Sequence, residues 1–203
     1  MTLDVGERYS FQAGQYLCIH LGEEDLLPLS IASAPARLPE LHLHYRSTPG
    51  DPLALRMDRL LDTTTRLAIS PAQGEVIAPP EHAALFVVAG GTGIAQAFSC
   101  AAARPRGQTT ILWCADRETE IYELATLEEQ PGVTVVTCVD DRRTPENEGL
   151  AWLAEHAGAF RDTHTILAGS PPFVYAVTDV LEPLGVRNLH SDVYAYAPRA
   201  RPD

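Results

Sequence analysis

The residues best equipped for chemistry stand at Ala89-Gly90-Gly91-Thr92-Gly93-Ile94-Ala95-Gln96, between an apolar run at 85–89 and a helix-like segment at 94–103. A strand, a glycine turn and a helix start in that order aim backbone N–H groups and a helix N-terminus at a phosphate. Gly90 opens the turn, Gly91 and Gly93 permit close backbone approach, and Thr92 adds a hydroxyl donor. Gln96 stands where the full dinucleotide fingerprint places a third glycine, so spacing alone does not separate a ligand site from a tight structural turn.

Two further clusters share that chemistry. Asp116 and Arg117 follow the next strand-like run, 109–114, where an adenosine ribose lies in a doubly wound sheet. The acid can accept from ribose hydroxyls and the arginine can pair with a 2′-phosphate, which leaves NADH and NADPH both open. Gly169, Ser170 and Pro171 follow the run at 165–168, and the proline suits a helix start. Regular topology brings this turn beside the first one, and two turns at one sheet edge make a cleft.

Other chemistries have less support. Cys18, Cys100, Cys114 and Cys138 are widely spaced and form no Cys-x-x-Cys pair, so zinc and iron–sulfur sites lack a local framework and buried free thiols are expected. None of the seven histidines is assigned to a metal. A net charge of −12 disfavours nucleic acid and also an acidic electron carrier, unless Arg37, Arg46, Arg56, Arg59 and Arg66 make a local basic patch. The chain is 45% hydrophobic and 21% charged, as folded proteins are. No apolar run is long enough for a bilayer, and no basic-then-apolar leader follows Met1, so a cytoplasmic location without membrane contact is expected.

The elements that must position these residues change character near residue 80. Residues 1–80 read as short strands at 16–21, 29–32, 41–45 and 66–70, with an amphipathic helix at 51–62, which suggests a small antiparallel barrel. The segment 78–82 reads as a linker. Residues 81–203 alternate strands at 85–89, 109–114, 133–139 and 165–168 with helices at 94–103, 122–129, 150–156 and 173–184, and close on a strand at 188–196. That alternation predicts a doubly wound parallel sheet, giving an α/β plus β fold in two domains, 1–80 and 81–203.

The segments FQAGQYL (11–17), PLSIASAP (28–35), LHLHYR (41–46), AGGTGIAQ (89–96), ILWCADRETEIYEL (111–124), AGSPPFVYAV (168–177) and SDVYAY (191–196) resemble, in order, the ferredoxin–NADP reductase superfamily, and most nearly its NAD(P)H:flavin reductases. The resemblance implies a flavin-binding barrel, a nicotinamide-binding domain and hydride transfer from NADH or NADPH to FAD or FMN in the cleft between them. It implies Ser30 at flavin N5, with Pro28 and Leu29 along the ring. His44, Tyr45 and Arg46 would lie by the pyrimidine edge or ribityl chain. Gly91, Thr92 and Gly93 would hold the dinucleotide phosphates, and Gly169, Ser170 and Pro171 would border the nicotinamide.

The chain departs from the family pattern at several points. Arg-x-Tyr/Phe-Ser is replaced by Leu27-Pro28-Leu29-Ser30, which removes a charged contact and a stacking face. Asp51 and Pro52 weaken the turn expected to hold the FAD diphosphate, and Ala168 replaces the cysteine sometimes found beside the nicotinamide. Only ten residues precede Phe11, which implies a barrel lacking a strand or a misassigned start. Weak retention makes the flavin a substrate, reduced and released. The alternatives are a flavin-bound reductase serving an oxygenase or other acceptor protein, and a non-catalytic nucleotide-binding subunit.

Overall fold

The alternation of residues 16–20 shapes the first half of the chain. In the computed structural model, which describes residues 1–22, 24–75, 79–140 and 147–199, β2 (Tyr16–His20) pairs antiparallel with β3 (Leu26–Ser30). Tyr16 is opposite Ser30, Leu17 opposite Leu29, Cys18 opposite Pro28 and Ile19 opposite Leu27. Side chains alternate across a strand, so Leu17, Ile19, Leu27 and Leu29 turn into a core with Phe11, Leu41, Leu43 and Met57. Tyr16, Cys18, Pro28 and Ser30 are left on the other face. Cys18 bonds through its backbone N–H and C=O to Ser70, so Pro28 sits opposite it where a missing N–H costs the ladder nothing.

A three-residue strand before Phe11, β1 (Thr2–Asp4), pairs with β4 (Glu40–His42). An isolated bridge from Ile31 to Leu43 links this pair to the hairpin. The helix α1 (Pro52–Thr63) buries Ala54 and Met57, and the Asp51 carboxylate caps it by accepting from the Leu53 and Ala54 N–H groups.

The second half is a parallel sheet in the order β7-β6-β5-β8-β9. Its strands are β5 (Leu85–Gly90), β6 (Thr109–Ala115), β7 (Val133–Val139), β8 (His164–Ala168) and β9 (Leu189–His190). The helices are α2 (Ile94–Ala102), α3 (Leu124–Glu128), α4 (Glu148–His156), α5 (Pro171–Leu181) and α6 (Val193–Tyr196). Every residue of β5 is buried, as a strand covered on both faces requires. One core joins α2 to the sheet through Val87, Phe98 and Trp113, and the other joins α4 and α5 through Leu112, Leu153 and Val177. Strand order reverses between β5 and β8, and the crevice of a doubly wound sheet opens at such a reversal.

Several expected elements differ. The strand at 66–70 is reduced to isolated bridges at Ile69 and Gln73, because the Ser70 hydroxyl takes the Cys18 N–H and Pro71 has no donor. The strand expected at 29–32 begins at Leu26 and ends at Ser30, and the one expected at 41–45 ends at His42. The helix expected at 122–129 starts only at Leu124, since Glu123 has a left-handed φ of 51°. The closing strand at 188–196 is two residues of β9 followed by α6. Ala78 of the expected linker lies outside the described residues, whereas Pro80 and Ala83 close a turn.

The arginines of the anticipated basic patch are largely engaged with acids. Arg37 pairs with Glu40 at 2.6 Å, Arg46 with Glu120 at 2.9 Å, and Arg56 with Asp25. All four cysteines are buried and none forms a disulfide. Among the described residues, no helix is long and apolar enough to cross a membrane, and no cluster of His, Cys, Asp or Glu could hold a metal ion.

Candidate active site

The hairpin face bearing Tyr16, Cys18, Pro28 and Ser30 is one wall of a cleft of about 430 Å3, and the turns after β5 and β8 form the other. Thr92, Gly93, Gly169, His44 and an edge of Leu29 reach the same space. Sites for small organic ligands run from about 300 to 1,000 Å3. Seven of the residues singled out in the sequence thus share one cleft: Pro28, Leu29, Ser30, His44, Thr92, Gly93 and Gly169.

The two turns interlock backbone to backbone. A Cβ added at Gly93 would meet the Ala168 carbonyl oxygen and the Gly169 nitrogen at 2.8 Å or less, and one at Gly169 would lie 3.4 Å from the Gly90 Cα. Trp113, buried on β6, donates from Nε1 to the Gly91 carbonyl at 3.1 Å and fixes the turn from below. Gly90 and Pro171 are therefore structural neighbours of the cleft, at the end of β5 and the start of α5, rather than part of its lining.

Other expected residues lie in adjoining spaces. Gly91, Tyr45 and Arg46 line a recess that shares His44 and Thr92 with the main cleft. Tyr45 is turned to α1, where its hydroxyl bonds the Asp58 carboxylate at 2.8 Å, and Arg46 is neutralised by Glu120. Asp116 and Ser170 line a separate pocket of about 280 Å3, while Arg117 is exposed and outside it. His44 is held edge-on by Phe98 and Tyr122, and the Tyr122 hydroxyl bonds its Nδ1 at 2.9 Å. Burial holds the imidazole pKa below its usual range, so at neutral pH the ring is uncharged.

Tyr16, Cys18, Gln96, Asp192 and Tyr196 also face the cleft, and none of them was expected at the site from the sequence. Gln96, which reads as a flaw in the glycine motif, donates from Nε2 to the Gly14 carbonyl at 2.8 Å and to Asp192 Oδ2 at 3.1 Å. A buried amide on an otherwise small and apolar helix face was the available signal. Asp192 was hidden because SDVYAY reads as a strand, whereas the bend before α6 turns its carboxyl inward. Burial raises the Asp192 pKa above its ordinary 3.8, the nearby Glu75 carboxylate adds to the rise, and bonds from the Glu75 backbone and Gln96 oppose it. Tyr16 and Tyr196 also feel this charge.

No protein-family model matches the chain. It is 27% identical to reductase component 1 of terephthalate 1,2-dioxygenase from Comamonas sp., over 98% of this chain and 63% of that protein. The NAD(P)H-flavin reductase of Vibrio harveyi is 33% identical over 55% of this chain and 52% of its own length. The ferredoxin-NADP+ reductase of Plasmodium falciparum superposes with a TM-score of 0.71 at 16% identity, covering 92% of this chain and 85% of that one. The Amycolatopsis cytochrome P450 reductase GcoB gives 0.78 at 23% identity, covering 94% and 63%. The chain shares the fold of these two reductases. It spans less than two thirds of the length of the curated relatives it matches.

The departures at Leu27 and Leu29 from the pattern expected of the sequence have a local reason. Both lie opposite Ile19 and Leu17 on the core face of the hairpin, so they strengthen the small core of the first half.

The raised Asp192 pKa fixes the sign of one pH effect. A folded-state pKa above the unfolded one contributes stability that is full below the unfolded value and lost as pH rises through the folded value. Asp192→Asn keeps an acceptor for Gln96 and removes that decline. Thermal melts from pH 4 to 7 are expected to show the variant gaining on the parent as pH rises, then a constant difference. A difference independent of pH would mean that the carboxyl is as well solvated folded as unfolded.

Proposed function

We propose that the chain passes hydride from a reduced nicotinamide dinucleotide to a flavin, with residues 1–80 holding the flavin and 81–203 the dinucleotide. The observation that carries this reading is that Ser30 and Gly93, from opposite halves, border one cleft at the reversal point of the parallel sheet. The relatives named as an NAD(P)H-flavin reductase and a dioxygenase reductase component support it.

The lining fits the group: an apolar hairpin face for a flat ring, a hydroxyl at its edge, and backbone turns for phosphates. A bound flavin would supply the hydride acceptor and carry the difficult chemistry. The protein's part is alignment and electrostatics. Ser30 presents its hydroxyl to the ring edge. Pro28 and Leu29 exclude water from one side, and neutral His44 adds a polar edge without charge. Gly91, Thr92 and Gly93 offer N–H groups to the dinucleotide, with Gly169 bordering its nicotinamide end. Asp192 can keep a proton on its carboxyl oxygens to a higher pH than an exposed aspartate. Asp116, which lines one pocket with Ser170, would accept from ribose hydroxyls.

Stopped-flow oxidation of NADH and NADPH with riboflavin, FMN or FAD tests the reading. Flavin-dependent oxidation is expected, and its absence with every flavin in folded protein would remove the proposal. Ser30→Ala is expected to lower turnover about tenfold, with little change in the KM for dinucleotide, as loss of one hydrogen bond at the reacting edge should. A second reading, in which flavin is retained and electrons pass to an oxygenase, is favoured by the likeness to the terephthalate dioxygenase reductase over nearly the whole chain. A yellow purified protein supports it, and a colourless one supports release of reduced flavin.

A further inference from the structure

We infer that the Tyr16 phenol is the stacking platform for the flavin ring, replacing the aromatic that the resemblance places at Leu29; this rests on the proposed flavin site. Tyr16 and Ser30 are directly opposite in the hairpin ladder and both line the cleft. Side chains of such a pair start about 4.5–5.5 Å apart on one face, so a flat ring reaching Ser30 with its edge must cover Tyr16. Leu29 reaches the cleft only with an edge, has no aromatic face, and otherwise packs against the hairpin's core.

Tyr16 is also held in place before any ligand arrives. Its backbone exchanges hydrogen bonds with Gln73 at 3.1 and 2.8 Å, and its hydroxyl reaches Gln73 Oε1 at 3.4 Å. Gly74 supplies the remaining support: a Cβ there would stand 3.1 Å from Tyr16 Cδ1, so the missing side chain leaves room for the ring. A platform fixed on one side and open to the cleft on the other loses little freedom on binding. The other aromatic groups are less suited. His44 is engaged edge-on by Phe98 and Tyr122, and Tyr196 is 58% exposed on a four-residue helix.

The test is titration of riboflavin, which lacks phosphate, into the full chain and its variants, with affinity from equilibrium dialysis and emission from the bound flavin. A stacked tyrosine quenches flavin emission by lending an electron to the excited ring and recovering it, and phenylalanine does not. Tyr16→Leu is expected to weaken binding about tenfold. Tyr16→Phe is expected to keep affinity within about threefold and to restore emission. Wild-type affinity and quenching in both variants would overturn the inference while leaving the flavin site standing. Quenching that survives Tyr16→Phe but is lost in Tyr196→Phe would move the platform to Tyr196 and overturn it equally. A wild-type chain that binds no riboflavin would remove the flavin site and the inference together.

Discussion

Gly93→Ala is expected to lose about a hundredfold in kcat/KM for the dinucleotide, the scale on which displacement of a positioning element by an ångström is felt. The added carbon would stand 2.4 Å from the Ala168 carbonyl oxygen, 2.6 Å from its carbon and 2.8 Å from the Gly169 nitrogen. None of these atoms belongs to a flexible side chain, so the β5 and β8 turns must part. Overpacking of this kind costs about 1–3 kcal/mol in stability. Gly158→Ala is the matched control, because nothing lies within 4 Å of the carbon it would add. Dinucleotide titrations and urea midpoints on both variants decide the matter. Wild-type KM and midpoint for Gly93→Ala would mean that the turns do not touch in solution.

The second large effect lies far from the cleft. Arg104 is 3% exposed and, among the described residues, pairs with no carboxylate; it donates to the Pro80 carbonyl at 3.1 Å, to the Ala83 carbonyl and to Thr109 Oγ1 at 3.4 Å. The guanidinium therefore ties the segment entering β5 to the end of α2. Arg104→Met keeps the apolar stem and removes these bonds, at an expected cost of about 2 kcal/mol. That is a large part of the roughly 5–15 kcal/mol by which domains are stable. The urea midpoint should fall while dinucleotide KM in the folded protein stays unchanged. A loss below about 0.5 kcal/mol would mean that water replaces the guanidinium without penalty.

The second half was legible in the sequence because its signals were local. The apolar runs at 85–89, 109–114 and 133–139 became β5, β6 and β7, and the glycine turn fell between β5 and α2, as the strand–turn–helix pattern requires. The first half was harder to read. Its strands are three to five residues long and partly held by single bridges, and side chains such as Ser70 take bonds that a ladder would otherwise make. Seven of the residues that line the cleft, Ser30 and Gly169 among them, were found by motif. What escaped were residues whose role depends on long-range approach. Gln96 meets Gly14 and Asp192, 82 and 96 positions away, and no periodicity records either contact. Asp192 was masked by its apolar neighbours, whose alternation imitates a strand that α6 interrupts. Arg46 and Arg56 looked like members of a basic surface only because their acidic partners, Glu120 and Asp25, are distant in sequence.

The burial of α2 has a wider consequence. Residues Ile94 to Ala101 are buried all round, with the parallel sheet beneath and Gly14, Ser33 and His44 against the outer side. A helix enclosed on every face belongs to both units it separates. Recombination that exchanged one half of such a gene for a foreign one would leave an oily helix facing solvent, unless the newcomer matched its contour. The two halves should therefore be inherited as a pair, and their histories should branch together.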